Sequence, residues 1–516
     1  MSCVKAAILL GLALTAAPAI ARGPAAPEQC AALTGGDAQA EWMVEKGAVP
    51  AHCRVQRILR PAAGSRVGVT VLLPAPSRWT GRLQMLGNGG YSSALPERAM
   101  EAALARGSTV VATDTGHEGD EPTFAQGRPQ AIVDWGWRAV HVSVVAAKMT
   151  VVRYYGREAS HSYFAGCSTG GHQAMSEAQR FPADFDGIVA GAPGSNRVRL
   201  NAAFLWQFIS NHRRTAPFTA ILDSRDLALL HQNALARCSA TGTGAGRWLE
   251  DPLSCRPQPE ALLCRPNVTA SCLTPEKVEA ARAMYNGARD PRNGSRVTFP
   301  WLPGSELGWD AYWADPRQPT QPARADFWRL WAARGQTWDW RHFAFPRDLT
   351  SAQQRLSRTI DATDPNLIAF RRRGGKLIQY HGLADPVVSP LDTLSYRSTM
   401  LRRTGYAASW YRLFLAPGMG HCVGGPGLAR FDPQPAIEAW VERDKAPMSL
   451  IATDSTGAQR PLCDVSARSV FVAGDPRSAA SYKCEAGAKT STLQGARAQT
   501  QHERESEVRR LGKRAE

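Results

Sequence analysis

The chain has 516 residues, 44% of them hydrophobic and 21% charged, which excludes a disordered or fibrous protein. That length fits one large domain with an elaborate insertion, or two to three ordinary domains, and it can bury a core without help from disulfides. Sixty-one basic against 45 acidic residues give a net charge of +16. The arginines are scattered, however, with the densest runs at FRRRGGK (370–376) and in the polar tail. A nucleic-acid-binding module would cluster them, so the reading is a solvated basic surface with a slight tilt toward anionic substrates.

The N-terminus, MSCVKAAILLGLALTAAPAIARG, carries one lysine, an apolar run from Ala6 to about Ala17 and the small-x-small site Ala19-Ile20-Ala21. This predicts a secretory signal peptide over 1–21, because the run is short for a membrane span of about 20 residues. The expected mature protein is soluble, does not engage a membrane, and is secreted or periplasmic. Ten cysteines remain after Cys3 leaves, an even number that suggests five disulfides in an oxidising compartment. No C-x-x-C pair or histidine-rich cluster points to zinc, so no metal is expected there. Sequence neighbours suggest Cys30–Cys53, Cys238–Cys255, Cys264–Cys272 and Cys463–Cys484. That leaves Cys167 and Cys422 for each other.

RVGVTVLLPAPSRWTGRLQMLGNGG reads as two strands ending in a glycine-rich loop, and GSTVVATDTGH as a buried strand running into a polar loop. WGWRAVHVSVVAAKMTVVRYYG has helical spacing and length. SYFAGC is a strand, GGHQAMSEAQRFPADF a helix, and FDGIVAGAPG the next strand and loop. This alternation predicts an α/β fold with a parallel sheet, the first part spanning 22–195. Between 196 and 366 the rhythm fails: that stretch holds four cysteines and nine of the fifteen tryptophans, and reads as an insertion. GGKLIQYHGLADPVV and SWYRLFLAPGMGHC resume the strands, giving a second core part over 367–484. The tail 485–516 lacks core residues and is expected to be disordered.

Gly166-Cys167-Ser168-Thr169-Gly170 is a Gly-x-Ser-x-Gly pattern between a strand and a helix, the context of a nucleophile elbow. A serine needs a base, and the base a carboxylate. Asp385 and His421 follow Ser168 in the chain order of α/β-hydrolases, each just beyond a strand. Asp114, His117, Asp186, His381 and His172 fit the roles less well and are read as structural. The oxyanion N–H groups are expected from Thr169 and from the LGNGGYSS loop at Gly89 or Gly90, with Gly87 beside them. A dinucleotide-binding loop is the rival for those glycines, but the full G-x-G-x-x-G pattern and its acidic partner are missing. A Cys167–Cys422 bridge needs Cα atoms about 4.4–6.8 Å apart, which would make Ser168 and His421 neighbours.

GCSTGG, AQRFPADFDGIVAGAPGSN, RGGKLIQYHGLADPVVSP and GMGHC resemble the tannase/feruloyl esterase family from about Cys30 to Cys484. The resemblance implies an α/β-hydrolase core with a large inserted lid, a disulfide-linked triad of Ser168, Asp385 and His421, and five disulfides. It implies a small aromatic ester substrate: a ferulate, gallate, chlorogenate-like ester or terephthalate monoester. Phe327, Arg329 and Trp331 correspond to the family's aromatic lid segment and become candidate substrate contacts. One departure stands out. Where the family carries a calcium loop of three aspartates, this chain has CSATGTGAGRWLEDPLSC, with Ser239, Gly242 and Gly246 in their places. Calcium requires several hard oxygen ligands. A calcium-free lid and no cofactor are therefore expected, Glu250 and Asp251 being the remaining carboxylates. A serine peptidase and a catalytically silent binding protein on the same fold are the alternatives.

Overall fold

The computed structural model describes residues 25–239, 247–266, 271–333, 337–405 and 407–486. The expected signal segment and all of the tail beyond Ala486 lie outside the described residues. The first strands are β1 (Ala38–Met43), β2 (His52–Leu59), β3 (Val67–Pro74), β4 (Arg82–Leu86), β5 (Thr109–Thr113), β6 (His161–Cys167) and β7 (Gly187–Gly191). A two-stranded hairpin, β8 (Ala314–Asp315) and β9 (Gln318–Pro322), lies in the insertion. Then come β10 (Lys376–Gly382) and β11 (Tyr411–Ala416). Nine of these form one sheet in the order β1-β2-β3-β5-β4-β6-β7-β10-β11. Pairing is antiparallel from β1 through β3 to β5, and parallel from β5 to β11.

Parallel strands covered on both faces read as unbroken apolar runs, and TVVAT and GIVAG are buried at every position. Neighbouring residues turn to opposite faces. Phe164, Ile188, Leu377 and Leu413 pack with helices 139–155, 169–180 and 390–404. Tyr163, Val189, Ile378 and Phe414 pack instead with helix 434–443, and Leu72, Val110 and Ala112 with helix 97–105. The sheet is thus sandwiched between two helical layers, as the strand–helix alternation predicts.

Among the described residues of 192–375, none adds a strand to the main sheet. They carry helices 197–211, 224–238, 275–286 and 345–360 and two aromatic cores. One core joins Phe327, Trp328, Trp331 and Trp340 to Tyr91 and Trp135; the other sets Trp301, Trp309 and Trp313 on Val387 and Val388. After β11 the described residues close with helix 434–443 and two small hairpins, β12 (Ser449–Thr453) with β13 (Gln459–Cys463), and β14 (Ala467–Phe471) with β15 (Tyr482–Ala486). Glu485, assigned to the tail from sequence, belongs to this last strand. The five expected disulfides are all formed: Cys30–Cys53, Cys167–Cys422, Cys238–Cys255, Cys264–Cys272 and Cys463–Cys484. Among the described residues, no helix is long and apolar enough to cross a membrane.

Candidate active site

The parallel registers pair Cys167 with Gly191 and Gly382 with Ala416, so β6, β7, β10 and β11 end along one edge of the sheet. Ser168 follows β6 directly and caps helix 169–180, with φ 62° and ψ −117°. Such a backbone costs about 1–3 kcal/mol in a residue other than glycine and persists only where the surroundings hold it. Here the Ser168 N–H donates to Gly191 O (3.0 Å), and Ser168 O accepts from His172 (2.9 Å) and Gly194 (3.2 Å). The tight turn also depends on Gly166, where a Cβ would stand 2.6–2.7 Å from the main chain of Gly170.

Asp385 lies in the loop after β10 and is wholly buried. Its Oδ2 accepts from His421 Nδ1 at 2.7 Å, and its Oδ1 accepts from the N–H groups of Val387 (2.8 Å) and Val388 (2.9 Å). Burial opposes its charge, but His421, with help from His381, outweighs that, and the carboxyl lies well below the usual carboxylate range. His421 sits in the loop after β11 and keeps 19% of its side chain exposed. Main-chain bonds Leu383 N–H to Ala416 O and Ala384 N–H to Met419 O (both 2.9 Å) clamp the two loops together. The Cys167–Cys422 bridge, with Cα atoms 5.9 Å apart, ties the residue before Ser168 to the residue after His421.

Thr169 opens its helix, where a first-turn N–H has no intrahelical partner. Its hydroxyl is held by Arg197 Nη2 at 2.8 Å. In the loop after β4, the Asn88 N–H is taken by Gln173 Oε1 (3.1 Å), and the Asn88 amide donates to Thr113 O (2.9 Å). Gly87 packs on Gly170, Gly89 borders open space, and Gly90 adopts φ 54°. Tyr91, next in line, is buried between Trp135 (stacked, 5.0 Å) and Trp331 (edge-on, 5.5 Å).

The residues read as structural have structural partners. Asp114 accepts from Gly68 and Gly116 N–H groups, both at 2.8 Å. His117 meets Tyr91 O at 2.7 Å and stacks on Phe124, bracing the glycine-rich loop. Asp186 accepts from Ser162 N–H. His172 is buried against Ile360 O, and burial pushes its pKa down to about 3. His381 alone reaches the site, with Nε2 3.3 Å from Asp385 Oδ2. From sequence, His381 is a candidate near Asp385 and is taken as structural; its i,i+4 spacing from Asp385 is the signal of this contact. Arg197 and Gln173, which fasten Thr169 and Asn88, carried none.

Of the lid candidates, Phe327 is 0% and Trp331 1% exposed. Trp331 donates its indole N–H to Pro122 O (2.8 Å), and Arg329 pairs with Asp326 (2.9 Å). Phe327 and Trp331 therefore pack against the wall that holds Tyr91 and present no open surface. In the calcium-loop segment, Gly242 and Gly246 lie outside the described residues. Glu250 receives Trp248 Nε1 (2.9 Å) and Arg460 Nη2 (2.8 Å), so its charge is already paired with an arginine. Among the described residues, one group combines metal-ligand types: His141, Glu177 and Asp184. His141 Nδ1 lies 2.7 Å from Asp184 Oδ2, and burial, then the charge of Asp184, pushes the Glu177 carboxyl well up.

A family model described as tannase and feruloyl esterase matches residues 53–485. Among curated proteins, a mono(2-hydroxyethyl) terephthalate hydrolase of Piscinibacter sakaiensis is 32% identical over 520 residues, covering 85% of each chain. Feruloyl esterase B of Aspergillus niger is 30% identical over 426 residues, covering 77% of this chain and 78% of its own. Among solved structures, feruloyl esterase B from Aspergillus oryzae superposes with a TM-score of 0.79 at 25% identity, covering 89% of this chain and 100% of that one.

Proposed function

Because the chain belongs to the tannase and feruloyl esterase family of carboxylic ester hydrolases, we propose that it cleaves esters of aromatic carboxylic acids through an acyl-enzyme on Ser168. The Ser168 hydroxyl attacks the ester carbonyl as His421 Nε2 takes its proton. His421 then passes that proton to the departing alcohol, and a water molecule repeats the sequence to release the acid. Asp385 keeps the His421 proton on Nδ1 and stabilises the imidazolium. The N–H groups of Thr169 and of Gly89 or Gly90 receive the oxyanion. The observation that carries this reading is the 2.7 Å Asp385–His421 hydrogen bond set beside a disulfide whose two cysteines adjoin Ser168 and His421.

The substrate class is supported by the relatives, whose names specify feruloyl and terephthalate esters. The insertion over 196–366 acts as the lid that selects the acid, because it leaves the sheet at the end of β7, on the edge where Ser168 emerges. Phe327 and Trp331 shape the acid site through Tyr91 rather than by direct contact. The reaction needs no cofactor and the lid works without calcium. The reading also includes export to the periplasm or medium, supported by the signal-like N-terminus and the five disulfides.

Turnover of methyl ferulate, methyl gallate, chlorogenate and a terephthalate monoester by the wild type and by Ser168→Ala tests the proposal. Hydrolysis of at least one ester, lost in the variant, is expected. Equal activity in Ser168→Ala would refute the mechanism, and cleavage of peptides in place of esters would support the peptidase alternative.

A further inference from the structure

We propose that His381 is a positioning residue for the acid–base pair: it holds the Asp385 carboxylate in the plane that His421 requires and takes part of the charge of its Oδ2. The proposal rests on the triad reading above. His381 is the penultimate residue of β10, fixed in register opposite Leu415, and is wholly buried. Its Nε2 faces two acceptors, Val388 O at 2.9 Å and Asp385 Oδ2 at 3.3 Å. A nitrogen between two acceptors must carry the hydrogen, so Nε2 donates. The ring is held from the other side by Thr393 Oγ1, 2.8 Å from Nδ1.

Asp385 therefore meets four donors: the N–H groups of Val387 and Val388 on Oδ1, and the two imidazoles on Oδ2. Three of these contacts are hydrogen bonds of 2.7–2.9 Å and the fourth is the His381 N–H shared with Val388 O, so rotation about the terminal bond of the carboxylate would break contacts on both oxygens. Two consequences follow. Losing the His381 donor frees the carboxylate to turn, which misaligns His421. It also leaves all of Oδ2 to His421, which makes that imidazole more basic. The other charged groups that act on this corner are Asp392, on the helix that carries Thr393, with Arg199 and Asp361 beyond it. None of them is altered by changing His381.

A histidine that merely fills the core would affect stability alone, whereas a positioning residue alters the pH profile. The Gln amide nitrogen stands where Nε2 stands and keeps the donor; Asn and Leu do not supply it there. In the full chain, His381→Leu and His381→Asn are expected to lower kcat about tenfold or more with KM little changed. The acidic limb of kcat/KM should move up by about half a pH unit to one unit. His381→Gln should recover most of both. Thermal melts confirm that each variant is folded, and the Gln–Asn comparison decides the matter if Leu does not fold. Equal kcat and equal pH limbs in His381→Gln and His381→Asn would overturn the proposal. His421→Ala separates the layers: if it retained full activity the triad reading itself would fall, whatever His381 does.

Discussion

Removing the Cys167–Cys422 bridge tests how far the nucleophile and the base depend on a covalent link. The perturbation is Cys167→Ala with Cys422→Ala, so that no free thiol is left to exchange. The bridge closes a separation of 255 residues. In the chain-entropy treatment that restricts the unfolded state by about 5.5 kcal/mol at 25 °C, and the two short bridges inside the loop hardly change the logarithm. The local effect is separate. Ser168 (φ 62°) and Cys422 (φ 65°) both hold left-handed backbone, each at about 1–3 kcal/mol, and the bridge joins the segments that carry them. Without it these segments can relax, and a displacement of about 1 Å at reacting groups costs on the order of a hundredfold in rate. The double variant should therefore lose several kcal/mol in urea denaturation. It should also show a kcat roughly a hundredfold lower at temperatures well below its own melting point. Wild-type kcat in a folded double variant would refute the positional part of the reasoning, and an unchanged denaturation midpoint would refute the entropic part.

Glu177→Gln should stabilise the protein in a pH-dependent way. Burial holds the Glu177 carboxyl protonated well above its ordinary 4.5, beside Asp184. The unfolded chain releases this proton from about pH 4.5 upward, so wild-type stability falls as pH rises toward the folded value, by up to about 1.4 kcal/mol per pH unit. Glutamine keeps a donor toward Asp184 and takes up no proton. Denaturation at pH 4, 5.5 and 7 should give nearly equal stabilities at pH 4 and a widening advantage above it; a gap independent of pH would refute the account. A chelator is expected to leave both Tm and ester turnover unchanged, since Ser239, Gly242 and Gly246 replace carboxylates and Glu250 is paired with Arg460. A drop in Tm reversed by added calcium would show that the lid binds the ion after all.

The sequence carried those parts of the molecule whose chemistry is local. The helix at 139–155, the strands TVVAT and GIVAG, and the elbow at Ser168 follow from periodicity, continuous apolar runs and glycine spacing. The Asp385–His421 pair and the Cys167–Cys422 bridge follow from chain order and from the parity of the cysteines. What stayed hidden depends on contacts distant in sequence. The swap of β4 and β5 in the sheet leaves no trace in either strand. β1 and β2 were missed because AQAEWM and HCRVQRIL interleave arginine, glutamine and glutamate with few fully buried positions. The π-turn at Asp134–Arg138 is built around tertiary partners: Gly136 lies against Thr359 O, and Asp134 takes both Ser65 and Arg138. The lid tryptophans looked equally suited to touching a substrate or filling a core. Only three-dimensional packing separates the two, and it puts Trp301, Trp309, Trp328, Trp331 and Trp340 inside.

The long excursion between β7 and β10 has a bearing on how this chain can vary. β7 and β10 are hydrogen-bonded neighbours from Lys376–Gly187 to Tyr380–Gly191, so the sheet is continuous whatever the connecting chain does. The entropy of closing a loop grows only logarithmically, by about 0.6 kcal/mol for each doubling of length. Stretches between 192 and 375 that do not touch the triad loops can accordingly be lengthened or shortened at small entropic cost, whereas Arg197 on Thr169, Ile360 on His172 and Trp301 packed with Val387 tie the rest of the segment to the frame that carries Ser168, Asp385 and His421. On the proposed reading, the variable part of the lid and the part that braces the triad are different stretches of one insertion.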